Sequence, residues 1–494
     1  MFAVSDVDRS VARLLFAGLF TYDGHNRLVG DLAKDYVVDE KGTTYTVHLK
    51  PDLRWQDGRP LTADDVVFTY QTIQNPDVQS PLAGGWQGIK ISKLNSTTVV
   101  FSLTNPLAAF PFNLTNGIVP QHLLSKYSAQ DLRSAAFNTV KPVGAGPFKW
   151  NGLQVKHSGK TREVLASMIP FEQYSRGAPK VSSIIVHSFP NEETMIDAFS
   201  KQQINGMVGL HDITKEVTDI PSTQVKSLVL TAANMAFFNT TNPILNDPKV
   251  RQALVSATDV PAIVSSLGYA TRIVDEPFLS GQLGYSKQNR QLSYDQGKAR
   301  QLLTEAGWTE PAKAATRIKN KQPLHITLYA SDKQENKMVT RHLKNDWEAV
   351  GADVDVQLKS DDLLQSTVNA QSYDVLLFGI SIGVDPDVFV YWHSSQIDPR
   401  SSRLNFSLYN SKNADAALDA GRTRIQPELR VIKYKPFLEA WQQDAPAVGL
   451  YQPRFAYVTN EKVFGLDASL INTPTDRFNN VQNWQVRTAK VTND

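Results

Sequence analysis

The stretch Asp385-Pro386-Asp387-Val388-Phe389-Val390-Tyr391-Trp392-His393 brings carboxylates, large aromatic rings and an imidazole together directly downstream of the apolar run Tyr373 to Phe378. Side chains of these types hold a small ligand without covalent chemistry: aromatic faces contact its body and a few polar groups fix its orientation. In open α/β sheets ligands sit beyond the carboxyl ends of the strands, which is where this segment leaves its strand. Asp385, Tyr391, Trp392 and His393 are therefore candidate ligand contacts. A structural role competes for each of them. Large aromatics pack the domain that carries them, Asp387 reads as a helix cap, and His393 reads as a hydrogen-bonded structural histidine.

Catalytic patterns are missing from the sequence. It contains no Gly-x-Ser-x-Gly elbow, no P-loop and no His-Glu-x-x-His, and its nine histidines are scattered singly. The absence of cysteine excludes disulfides, thiolate metal sites and a cysteine nucleophile. Gly144-Ala-Gly-Pro-Phe-Lys places Lys149 where a dinucleotide fingerprint has its last glycine, so that reading fails. The paired acids Asp64-Asp65 and Asp361-Asp362 stand at helix starts, where capping explains them. No cofactor or metal is expected. A hydrolase using two distant carboxylates stays open as an alternative, since any two of the 49 acids can meet in a cleft. With 51 basic residues against those acids the formal charge is +2, and no long Lys/Arg cluster marks a nucleic-acid surface.

The elements that must position these residues alternate between strand and helix. Leu324 to Tyr329 reads as a strand, Gln334 to Val350 as a helix ended by Gly351, and Ala352 to Leu358 as a returning strand with Val354, Val356 and Leu358 on one face. A helix at Asp361 to Asn369 leads into Tyr373 to Phe378, whose continuous apolar character suits a strand buried on both faces. Val181 to Phe189 and Asn191 to Gln203 repeat the strand–helix pattern in the first half, so each half is able to build an α/β domain. Between about residues 31 and 140 the strands shorten, as expected of an inserted β-rich subdomain. Thr62 and Asp65 write a capping box for a helix with Val66, Val67, Tyr70 and Ile73 on its apolar face. The longest apolar runs are about ten residues, half of the roughly twenty that a membrane span needs.

Several blocks carry a resemblance when taken in order. The strand from Tyr45 continues through Trp55-Gln-Asp-Gly58 to Leu61-Thr-Ala-Asp-Asp-Val66. Then come Gly144-Ala-Gly-Pro-Phe-Lys149, Met235-Ala-Phe-Phe-Asn-Thr-Thr-Asn-Pro243 with Asp247-Pro-Lys-Val-Arg-Gln-Ala-Leu254, Tyr294-Asp-Gln-Gly-Lys-Ala-Arg-Gln-Leu-Leu303, and Tyr373-Asp-Val-Leu-Leu-Phe-Gly379 before Asp385-Pro-Asp387. The chain resembles the extracellular solute-binding proteins of family 5, which serve peptide and nickel ABC importers. The resemblance implies an α/β, two-lobed periplasmic-binding-protein type II fold (class C) with an extra inserted subdomain. Its expected limits are 1–30, 141–233 and 462–494 for lobe I, 31–140 for the insert, and 234–461 for lobe II.

The same resemblance implies a monomeric, non-enzymatic protein outside the cytoplasm, periplasmic or anchored on the cell surface. It would capture short peptides by lobe closure and deliver them to a membrane permease, with a nickel chelate or oligosaccharide as the alternative solute. The family lines its cleft from regions that correspond here to Tyr22, Trp86, Phe238 and Asn239. In peptide-binding relatives an aspartate just before the Asp-Pro-Asp element pairs with the ligand α-amine. Ile382 stands at that position, so either Asp385 takes the role or the ligand is not held by its amine. The first residues lack the regions of a signal peptide, and the family's usual first strand is missing, so an N-terminal part is expected to have been removed.

Overall fold

The alternating residues Tyr45, Val47 and Leu49 lie on the buried face of a strand, and the helix start at Thr62 is built as its sequence dictates. A computed structural model of the chain describes residues 2–3, 5–158, 161–311, 316–460, 463–466 and 468–486. It divides into two units, Met1–Leu228 with Ala456–Asp494 and Val229–Phe455. The two crossings fall a few residues ahead of the limits expected from sequence, inside the strands Gln224–Leu230 and Arg454–Thr459. Within the expected segment 462–494, residues 462, 467 and 487–494 lie outside the described residues.

In the first unit, helix α1 (Asp6–Leu15) starts from a Ser5–Asp8 capping box. Strands β1 (Ala33–Val38), β2 (Thr44–Leu49), β3 (Lys90–Asn95) and β4 (Thr98–Ser102) form an antiparallel sheet in the order β1-β2-β4-β3. Helix α2 (Ala63–Gln74) belongs to the same segment and buries Val66, Tyr70 and Ile73. The side chain of Asp65 does more than cap. Its carboxylate accepts from the backbone of Thr62 at 3.0 Å and of Gln121 at 2.9 Å, and from the Trp55 indole at 3.3 Å. Strands β5 (Phe148–Ser158), β6 (Thr161–Pro170) and β7 (Ile184–Ser188) make a second antiparallel sheet in chain order.

Gln56, from the Trp55-Gln-Asp-Gly block, ties the first two sequence blocks together. Its backbone N–H donates to Gly144 O, the Gly144 N–H donates to its Oε1, and its Nε2 reaches the carbonyls of Leu15, Gly146 and Phe148 at 2.7 to 3.2 Å. Gly144 and Gly146 are required by close approach and not by turn conformation. A Cβ on Gly144 would fall on the Leu15 carbonyl oxygen, and one on Gly146 would lie 2.6 Å from the Leu15 carbonyl carbon.

The second unit is built on a five-stranded sheet. Strand β8 (Ala232–Phe238) is followed by helices α3 (Pro248–Ala257) and α4 (Gln296–Glu305). Strand β9 (His325–Ser331), helix α5 (Gln334–Glu348) and strand β10 (Asp353–Lys359) then form the expected parallel crossover. Helix α6 (Asp361–Ala370), strand β11 (Val375–Ser381), helices α7 (Phe389–Trp392), α8 (Lys412–Arg422) and α9 (Pro427–Asp444), and strand β12 (Ala447–Tyr451) complete it, in the sheet order β10-β9-β11-β8-β12. Val375 and Leu377 of β11 enter one apolar core while Leu376 and Ile380 enter the other, as a strand covered on both faces requires. Leu358 departs from expectation and is exposed, at the end of β10, which is an edge strand of the sheet. No helix among the described residues is long and apolar enough to cross a membrane.

Candidate functional site

Within the second unit, β11 ends at Ser381 and the chain turns through Ile382-Gly-Val-Asp-Pro-Asp-Val388 into α7. The turn is pinned by Thr231, whose carbonyl accepts from the N–H groups of Ile382 at 3.0 Å and Gly383 at 2.9 Å. Gly383 has a φ of +82°, the left-handed conformation that favours glycine. Ile382 packs against the apolar core and offers no charge.

Both acids that follow are already neutralised within the unit. The Asp385 oxygens each lie 2.6 Å from a guanidinium nitrogen of Arg430 on α9, and the two side chains are only 10% and 6% exposed. Burial works against the charge on Arg430, yet the Asp385 carboxylate more than offsets it and holds the guanidinium more firmly protonated than usual. Asp387 pairs with Arg422 of α8 at 3.0 Å and accepts a longer bond from Phe389 N–H at 3.4 Å. Burial raises the Asp387 carboxyl above its ordinary range, with Arg422 acting in the opposite sense.

Arg422 also lies over the Phe389 ring at 4.1 Å, and the other neighbour of that ring is His393, stacked at 4.2 Å between centroids. His393 Nδ1 accepts from Ser395 N–H at 3.1 Å, which places Nε2 within 3.6 Å of Asp419 and 3.9 Å of Asp415. The Tyr391 hydroxyl donates to Ser381 O at 2.5 Å, closing the turn onto its own strand. Asp385, Tyr391 and His393 are thus held by Arg430, Ser381 and Ser395, all within the second unit.

The other residues expected at the ligand are packed as follows. Trp392 is fully buried between Phe237 and Trp441, at 5.7 Å from each ring, so it is a core residue in this arrangement. Trp86 is likewise core: it stacks on Tyr70 at 3.9 Å and is 2% exposed. The antiparallel register pairs Phe238 with Val375 and Ala232 with Ser381, so Phe238 and Asn239 lie at the end of β11 opposite the Asp385 turn. Phe238 is wholly buried beside Trp347. Asn239 is a turn-former whose amide donates to Tyr373 O at 2.9 Å and accepts from Thr241 N–H at 3.0 Å. Asp385 has its charge balanced by Arg430 and is no open anchor for an ammonium group.

Tyr22 lies in the first unit, on the wall of a cavity of about 1120 Å³. One side of that cavity is α1, with Val7 and Val11. Another is a face of the β5-β6-β7 sheet, where Leu153, Ala166 and Val186 are cross-strand neighbours. Arg13, Asn116 and Thr473 supply polar groups to the lining. Arg13 itself is bound to Thr21 and Asn479. This volume slightly exceeds that of typical small-ligand pockets, roughly 300–1,000 Å³. Strand β7 has a neighbouring strand, β6, on one side only among the described residues.

Arg430 and Arg422 were not anticipated from sequence. A signal existed for Arg430, which shares the buried stripe of α9 with Tyr434, Phe437, Leu438 and Trp441; a cation at such a position needs an anion to meet it. Among the described residues no group of three or more His, Asp or Glu side chains is placed to hold a metal ion.

The fold agrees with comparisons to known proteins. The chain is 25% identical over 476 residues to the oligopeptide-binding protein AppA of Bacillus subtilis, covering 92% of this chain and 83% of that one. The structure of AppA in complex with a nonapeptide superposes over 99% of this chain and 96% of that one with a TM-score of 0.74 and 23% identity. NikZ from Campylobacter jejuni, in complex with Ni(L-His), does so over 98% and 97% with a TM-score of 0.79 and 25% identity. The model of the bacterial extracellular solute-binding proteins, family 5 Middle, matches residues 27–402, well over half of the sequence, and the chain therefore belongs to that family.

Proposed function

We propose that this protein is the substrate-binding component of an ABC importer that captures short peptides outside the cytoplasm and delivers them to a membrane permease, without covalent chemistry. The observation that carries the proposal is the family match across residues 27–402 together with similarity to an oligopeptide-binding protein along 92% of the chain. A ligand that favours a closed form of the two lobes would shift their equilibrium by its differential affinity for that form. Selectivity would rest chiefly on main-chain hydrogen bonds, with side chains accommodated loosely. A nickel chelate is the second reading, favoured by the similarity to NikZ.

Calorimetry and melting curves test this on protein freed of co-purified ligand by denaturation and refolding. Defined peptides of two to nine residues, oligosaccharides and nickel–histidine form the panel, and each mixture is analysed for products. Peptides are expected to raise the melting temperature with concentration relative to their dissociation constant. Stabilisation by nickel–histidine with none by peptides would select the second reading, and product formation would overturn both.

A further inference from the structure

Between α3 and α4 the chain runs through an irregular segment, residues 274–291, that is clamped to the second unit by uncharged groups. The Val274 N–H donates to Leu450 O at 3.1 Å, and Gln291 exchanges two bonds with the backbone of Gly449 at 2.9 and 2.8 Å. Gln282 Nε2 donates to Gly383 O at 2.9 Å and Val384 O at 3.3 Å, while Gln442 of α9 donates to Arg290 O at 2.6 Å. The clamp therefore holds the turn that leads into Asp385.

Glu276 lies within this segment and is wholly inaccessible. Its Oε1 accepts from Ser286 N–H at 3.1 Å, and its Oε2 has no hydrogen-bond partner among the described residues. The charged groups that act on it are Asp275 and Arg290 of its own segment, and these are paired with each other at 2.9 Å. The elements packed against the segment meet it through the backbone of β12 at Gly449 and Leu450 and of the Gly383–Val384 turn, through the Gln442 amide of α9, and through the rings of Tyr434 and Phe437 of α9 against Phe278, the Tyr434 phenol being the titratable group among them. An ionised carboxylate here would have one backbone donor and no unpaired cation, a strongly disfavoured state. Burial accordingly pushes the Glu276 carboxyl up to about 8.

We propose that Glu276 is a proton-held latch: residues 274–291 stay clamped while its carboxyl is protonated and loosen when it ionises, freeing the turn before Asp385. Ionisation draws water to the buried carboxylate, which parts the segment from β12 and the Gly383–Val384 turn. This inference is independent of which solute the protein carries.

Hydrogen–deuterium exchange between pH 4 and 9.5, expressed as protection corrected for intrinsic rates, tests it on the full chain and on Glu276→Gln. The expected result is that protection of 274–291 falls at least tenfold in the parent as pH rises from 4.5 to 8 and levels off above that, with 274–291 less protected than β8 throughout. Glu276→Gln should keep its protection throughout. Unchanged protection in the parent across that window, or protection of 274–291 equal to that of β8, overturns the latch. So does an equal loss in Glu276→Gln; should that variant fail to fold, the parent's pH profile decides alone.

Discussion

Asp385 and Arg430 face one another with each carboxylate oxygen 2.6 Å from a different guanidinium nitrogen, and both are nearly shut off from solvent. The pair joins the turn after β11 to α9, and Arg430 also reaches the hydroxyl of Tyr434 at 3.4 Å. A carboxylate so matched anchors the fold of its own unit. Removing it by Asp385→Ala leaves a buried cation, which costs roughly 3–5 kcal/mol. Urea unfolding should show that loss, and Asp385→Leu combined with Arg430→Met should recover most of it. If Asp385→Ala unfolds at the parent's midpoint, the pair is not structural.

The charge balance at Asp385, with Ile382 packed into the core, also sets an expectation for the ligand. Under the proposed peptide function, free and N-acetylated versions of one peptide should bind with affinities within about threefold, because neither residue supplies an unpaired negative charge; threefold corresponds to about 0.7 kcal/mol. Titration calorimetry on the parent protein checks this. A preference for the free amine of a hundredfold or more would reveal an acidic anchor elsewhere.

Gly144→Ala should be far more damaging than an exposed glycine substitution, since the new methyl group meets the carbonyl of Leu15. Gln56→Leu, which removes the side-chain acceptor of the Gly144 N–H and the donor to three carbonyls, should cost about 2–4 kcal/mol by leaving partly buried polar groups without partners. Both effects belong to the first unit. Circular dichroism melts of the two variants, with Gly84→Ala as a control at an exposed glycine that has open space and no positive φ, should rank Gly144→Ala as the less stable.

Stability should fall with rising pH through the window set by Glu276. Its folded carboxyl is pushed up to about 8 from an ordinary value of 4.5, so the folded state binds its proton more tightly than the unfolded chain does. The contribution is complete below pH 4.5 and is lost as pH climbs through 8, at up to about 1.4 kcal/mol per pH unit in between. Comparing urea midpoints of the parent and Glu276→Gln at several pH values isolates this slope. Parallel curves for the two proteins would contradict it.

What the sequence made legible follows from the range of the interactions involved. The capping box at Thr62 and Asp65, the parallel crossover of β9, α5 and β10, and the doubly covered β11 depend on neighbouring residues or on a single periodicity. Asp385 and Arg430 are 45 residues apart, and no local pattern announces that one answers the other. The segment at 385–393 was recognisable by residue type, but whether Trp392 faces a ligand or Trp441 is decided by α9, which comes later in the chain. Trp86 and Phe238 were nominated by their regions in the family, and packing against Tyr70 and Trp347 places them in cores.

Native mass spectrometry gives the most direct test of the central claim. The refolded protein is incubated with an equimolar mixture of peptides, oligosaccharides and nickel–histidine, and the masses retained on it are read together with those left in solution. The account predicts complexes carrying intact peptides, with every peptide in the mixture recovered uncleaved. Retention of the nickel chelate or a sugar alone, or the appearance of cleaved peptides, would contradict it.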